Sequence, residues 1–228
     1  MSDNAFAALN ADGLKLFDAA VSWASGIAPK PVKSGKIVFV SFHEADDKPD
    51  ATAAGVGLTV ASDRGYTTLL KAQGYTVTRY LTTATPDAAL LNAADLIIVG
   101  RAVPSGNYQN AGATEWNTSI TKPMIVMGGY TLRNSRMGYT TGATIPDTTG
   151  DIRLKVSNPS HQIFTGIPLD ANGTMVNVYA GIESFFGQDP PLVQRGISVN
   201  TDPVSGNGVV LATVGTSTGQ TDTTIGGM

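Results

Sequence analysis

Cysteine is absent from the chain. That excludes disulfides, thiolate metal sites and every reaction that runs through a thiol nucleophile. Charge is scarce: Asp, Glu, Lys and Arg make up 14% of the 228 residues, and the net charge is -3. Without an excess of basic residues there is no electrostatic footprint for nucleic acid, and no nucleic-acid partner is expected. Long hydrophobic runs are missing too. No stretch approaches the roughly 18 apolar residues of a membrane helix, so no membrane span is expected. The polar start, Met1-Ser2-Asp3-Asn4, lacks a signal-peptide pattern. Histidine occurs twice, as His43 and His161, so the candidates for imidazole chemistry are quickly named.

What remains is ordinary in bulk and unusual in texture. The apolar share is 42%, enough for a sizeable core in a chain of this length. Glycine and threonine are abundant. Low charge with Thr/Gly-rich loops favours an extracellular or cell-surface setting, as part of a larger bacterial protein.

Periodicity organises the first 139 residues. "NADGLKLFDAAVSWASG" carries Leu14, Phe17, Val21 and Ala24 on one helical stripe, with Asn10 or Asp12 as cap and Gly26 as stop. "IAPKPVKSGK" is a connector. "KIVFVSF" is a continuous β-branched run, the pattern of a strand covered on both faces. A helix in "SDRGYTTLLKAQG", a strand in "YTVTRYL", a short helix in "TPDAALLNA" and a strand in "ADLIIVG" follow. Thr85 is expected to cap that short helix, with Pro86 at its first position. A helix in "ATEWNTSI" and the strand "PMIVMGG" complete the series. Strands alternating with helices imply right-handed crossovers and a parallel sheet. The expected fold is α/β, a flavodoxin-like doubly wound, mostly parallel sheet with an antiparallel C-terminal extension. In the extension, "IRLKV" and "TMVNVYAG" read as strands, and "ISVNTDPVSGNGVVLATVG" as a hairpin turning through residues 203–206. The expected organisation is one domain over residues 1–228: N-terminal helix 1–26, connector 27–36, parallel core 37–139 and antiparallel extension 140–228.

In such a sheet, ligands bind outside the carboxyl ends of the strands, where the strand order switches. Three loops emerge there. The first brings His43, Glu44, Asp46 and Asp47; the second Arg101, Asn107 and Tyr108; the third Tyr130, Arg133, Asn134 and Arg136. His43 is the candidate general acid/base, and Glu44, Asp46, Arg101, Asn107, Tyr130, Arg133 and Asn134 are the candidate ligand-binding residues. Each has a plainer interpretation. His43 and His161 fit structural hydrogen bonds, the acidic loop fits a solvated face, and the arginines fit pairing with loop carboxylates. No metal and no cofactor are expected.

Four stretches carry a family resemblance. "KIVFVSFHEA", "ADLIIVG", "KPMIVMGGY" and above all "NPSHQIFTGIP" resemble segments of the class I glutamine amidotransferase-like superfamily, within it the trehalose-utilisation (ThuA-like) group. The superfamily places a cysteine nucleophile at the turn after the fourth strand. Here the turn reads Met127-Gly128-Gly129-Tyr130, so thiol amidotransferase chemistry is excluded. No Gly-x-Ser-x-Gly replaces it. Gly128 or Gly129 is expected at positive φ, with Tyr130 pointing into or across the crevice. In that group a helix like the N-terminal one closes the domain after the last strands. Its position here reads as a permuted or excised unit, the helix docking near the first strand or on a neighbouring chain.

Three functions follow as expectations. The missing nucleophile favours a non-catalytic binding or structural module, taking a carbohydrate or small polar ligand. The resemblance implies, as an alternative, a sugar-processing enzyme built on His43 and nearby carboxylates. An open sheet edge would suit a third, a homo-oligomeric or self-assembling subunit.

Overall fold

The run "KIVFVS" becomes β1 (Lys36–Ser41), buried at every position after Lys36. The computed structural model of the chain describes residues 11–26, 34–55, 57–101, 103–143, 147–148, 152–175, 197–198 and 204–216. β1 lies inside a four-stranded parallel sheet with β2 (Thr76–Leu81), β3 (Leu96–Val99) and β4 (Met124–Val126), in the order β2-β1-β3-β4. The register aligns Val40 with Tyr80 on one side and Val99 on the other, and Val99 with Val126. The protein is thus α/β with a flavodoxin-like parallel sheet, and the chain reverses its direction of travel across the sheet between β1 and β3.

Helices α1 (Ala11–Ala24), α2 (Ala51–Gly55), α3 (Arg64–Ala72), α4 (Ala88–Asn92), α5 (Ala111–Thr118) and α6 (Gly129–Leu132) connect or cover the strands. Gly74, at φ +96, ends the segment after α3, a conformation only glycine takes without strain. The cap of α4 differs from the expected Thr85. Asp87 accepts a hydrogen bond from the Leu90 N–H at 3.0 Å, which moves the helix start past Pro86.

Alternation sorts the strand residues onto two faces. Val38, Val40, Ile97 and Val99 pack with Leu91, Tyr108 and Trp116. Ile37, Phe39, Leu96 and Ile98 pack with Tyr66, Leu70 and Val21 of α1. A third cluster joins Leu16 of α1 to Leu154, Val156, Ile163, Phe164, Met175 and Leu211. α1 therefore spans two cores, with Val21 against the sheet and Leu16 in the C-terminal cluster. Its deepest side chains depart from the expected stripe. Leu14 is only half-buried, Leu16 is buried, and Trp23 is 46% exposed with its ring 5.1 Å from that of His161.

The extension is antiparallel, with a different pairing from the one expected. β5 (Asp147–Thr148) pairs with β7 (Ile197–Ser198), and β6 (Ile152–Val156) pairs with β8 (Ala212–Thr216). The segments read as one hairpin, β7 and β8, thus belong to different two-stranded sheets. The chain does turn between them: Gly206 has φ +61, and the Ser205 N–H reaches the Tyr139 carbonyl at 2.8 Å. Most of the expected strand "TMVNVYAG", the connector 27–33 and residues 217–228 lie outside the described residues. Among the described residues no helix is long and apolar enough to cross a membrane.

Candidate functional site

The loop leaving β1 folds back onto itself through one histidine. Ser41, the last residue of β1, donates from Oγ to Asp63 Oδ2 at 2.6 Å and accepts from the His43 N–H at 3.0 Å. The His43 side chain is 0% exposed. Its Nδ1 faces the Asp50 N–H at 2.9 Å, and its Nε2 faces the Ser62 N–H at 3.2 Å. Nε2 also lies 3.0 Å from Ser62 Oγ. Burial favours the neutral imidazole, which is tilted against Phe42 with ring centroids 3.9 Å apart, and both nitrogens are engaged inside residues 42–63. The expected general acid/base at His43 therefore has no nitrogen facing a ligand.

A second knot lies beside it. Asp46 accepts from Thr67 Oγ1, Lys71 Nζ and Arg79 Nε, each at 2.6 Å. Burial opposes its ionisation, but the hydrogen bonds from Lys71, Thr67 and Arg79 outweigh it and hold the carboxyl down to about 2. Arg79, 6% exposed, also brings Nη2 within 2.7 Å of Asp63 Oδ1. That approach is too oblique for a hydrogen bond, so it is a charge contact, and Arg79 Nη1 has no hydrogen-bond partner among the described residues. Asp46, expected to hold a ligand, is consumed by this internal network. Glu44 is exposed and faces Lys48 at 3.4 Å. Among the described residues no three His, Asp or Glu side chains converge as a cation site.

These groups set the acid response. Burial is the main cause that lowers the His43 pKa; Asp63 and Asp50 push the other way, and Arg79 adds to the lowering. A depressed folded pKa means that the unfolded chain takes up the proton first. His43 therefore contributes stability that is present above its unfolded value of 6.5 and is lost as pH falls below it. Asp46 adds a second loss as pH falls from 3.8 towards about 2. Thermal melts from pH 8 to 3 should show both limbs. His43→Gln should flatten the first and leave the second, and an unchanged slope below pH 6.5 would refute the assignment.

The loops after β3 and β4 form a different surface. The parallel register carries Arg101, two residues past Val99, alongside Gly128, two residues past Val126. A Cβ on Gly128 would stand 3.1 Å from the Arg101 carbonyl. Close approach, not handedness, is what favours glycine there. Gly128 has φ -95 and Gly129 is the first residue of α6, so neither takes the expected positive φ. The strand-to-helix turn itself is present. Tyr130 is 45% exposed. The Arg133 guanidinium lies 5.3 Å from the Tyr130 ring centroid, its Nε donates to the Tyr130 carbonyl at 3.0 Å, and its Nη2 reaches Ser105 Oγ at 3.3 Å. Arg101 is exposed.

Two expected ligand residues are tied to the chain instead. Asn107 Nδ2 donates to Thr82 Oγ1 at 3.4 Å, beside the buried Tyr108, whose hydroxyl lies 2.9 Å from the same oxygen. Asn134 Nδ2 donates to the Thr141 carbonyl at 3.0 Å and pins its own loop. No hydrogen bond or ion pair among the described residues joins the His43–Asp46 set to Arg101, Tyr130 and Arg133. Arg79 and Asp63 escape a reading of the sequence. Arg79 sits in "YTVTRYL" like any strand arginine, and Asp63 looks like a helix cap, although its side chain makes no cap hydrogen bond. The chain matches no protein-family model, no curated protein and no solved structure.

Proposed function

We propose that the chain is a non-catalytic binding module that takes a small polar ligand of carbohydrate type on the loops after β3 and β4. The observation that carries this reading is the state of His43: fully buried and hydrogen-bonded through both ring nitrogens to its own loop. A general base must reach the proton it removes, and this ring is enclosed. Kinship with the glutamine amidotransferase-like superfamily and its trehalose-utilisation group is part of the same proposal. It is supported by a strand-to-helix turn at Met127–Tyr130 that holds no nucleophile.

Tyr130 supports the choice of ligand. A half-exposed ring beside hydrogen-bond donors offers an apolar surface for sugar C–H groups and polar partners for hydroxyls. The test is a panel of mono- and disaccharides, followed by NMR for both binding and product formation. Reversible binding that shifts Tyr130 resonances, with the sugars recovered unchanged, is the expected result. Conversion of any sugar that stops in His43→Gln would overturn the non-catalytic assignment.

A further inference from the structure

Arg101, Arg133 and Arg136 lie on the loops after β3 and β4, and the Arg133 guanidinium stands 5.3 Å from the ring centroid of the exposed Tyr130. The ion pairs among the described residues involve Lys15, His43, Lys48, Lys71 and Arg79; Arg101, Arg133 and Arg136 are in none of them. Arg133 and Arg136 are close enough for one charge to act on the other. Burial first, and then the charge of Arg133, push the Arg136 guanidinium below its ordinary range. Among the described residues Arg136 Nε is buried without a hydrogen-bond partner, and its Nη1 finds only Ser135. In a chain of net charge -3 this is a local excess of positive charge on one loop cluster. Like charges held together without counter-charge create a field that an anion relieves. The guanidinium fork matches carboxylate and phosphate oxygens in pairs.

We propose that the ligand of this face is an anionic saccharide, its carboxylate or phosphate held by Arg133 and Arg101 while its ring lies against Tyr130. The inference rests on the binding reading above and narrows it. Arg133 is already placed, with its Nε on the Tyr130 carbonyl and one Nη on Ser105, so a single side chain ties the loop after β4 to the loop after β3. Preorganisation of this kind lowers the ordering cost of binding.

Calorimetric titration of the full chain with glucose, glucuronate, glucose 6-phosphate and inorganic phosphate tests it. At least one of the two anionic sugars should bind about tenfold or more tighter than glucose, as expected for charge-assisted hydrogen bonds, and should weaken as salt rises. Which of the two is preferred identifies the anion as carboxylate or phosphate. Arg133→Gln should remove that advantage, whereas Arg64→Gln, an exposed arginine on α3, should leave it intact; thermal melts verify that both variants fold. Glucose binding as well as the anionic sugars would overturn the anionic inference and leave the binding reading standing. Inorganic phosphate binding as tightly as glucose 6-phosphate would overturn the role of the ring. No binding by any of the three sugars would overturn the binding reading as well.

Discussion

Arg79→Met should lower the unfolding free energy by about 3–5 kcal/mol, the usual loss when one partner of a buried charge set is removed. Arg79 is the cation between two carboxylates from different elements, Asp46 in the loop after β1 and Asp63 just before α3. Asp63 is 2% exposed. Its second oxygen is satisfied by Ser41 at 2.6 Å, but its negative charge has no cation other than Arg79 among the described ion pairs. Methionine fills much of the volume and keeps contact with the Phe39 ring, which the guanidinium overlies at 5.6 Å. It cannot balance the charge. Adding Asp63→Asn to Arg79→Met should therefore recover at least about 1 kcal/mol, because the stranded charge disappears while an acceptor for Ser41 remains. Urea unfolding of the parent, both single variants and the double variant measures the cycle. A loss under about 1 kcal/mol for Arg79→Met would mean that water reaches the cluster and screens it.

Trp116→Ala is expected to be comparably damaging, at about 3–5 kcal/mol, with roughly 1 kcal/mol of that from an orphaned hydrogen bond. Trp116 has no exposed surface, packs against Tyr108 at 5.0 Å between centroids, and donates Nε1–H to the Thr83 carbonyl at 2.9 Å. It thus ties α5 to the segment after β2 across the sheet face. Trp116→Phe keeps most of the packing and loses the hydrogen bond, so its effect should fall well short of alanine. Trp23→Phe, at the chain's other tryptophan, should change stability by less than about 1 kcal/mol. That variant leaves Trp116 as the lone indole, and its emission should shift to the blue, as burial without water requires. Emission near that of exposed tryptophan would contradict the burial.

The parallel sheet was legible because its two central strands, β1 and β3, bury both faces. "KIVF" and "LIIV" have no polar position to confuse with a loop, and glycines close the intervening segments. The antiparallel half was harder. Short Thr/Gly-rich strands announce their own existence but not their partners, and β7 and β8 pair with β5 and β6 rather than with each other. The glycine pair after Met127 was correctly read as a turn, and for the wrong cause. Its φ is ordinary, and the preference for glycine comes from the Arg101 carbonyl just past the neighbouring strand.

The candidate site divides along the same line. Arg101, Tyr130 and Arg133 were placed at one crevice by strand order alone, since loops that leave adjacent parallel strands at the same end must be neighbours. His43 and Asp46 were placed there too, but what they do depends on partners such as Ser62, Lys71 and Arg79 that come from later elements.

By itself the sequence determined that no thiol chemistry occurs, since composition does not depend on folding, and that β1 and β3 form the covered centre of a parallel sheet, since runs apolar on both faces have no other stable place. The tertiary structure alone decided that His43 is enclosed, that Asp46 is held as a carboxylate between Lys71 and Arg79, and that α1 bridges two cores through Leu16 and Val21. The reason is one of range. Hydrophobic periodicity is a local property of consecutive residues, whereas the state of a polar group depends on which distant donors and charges the fold brings to it; Arg79 meets Asp46 from 33 residues away.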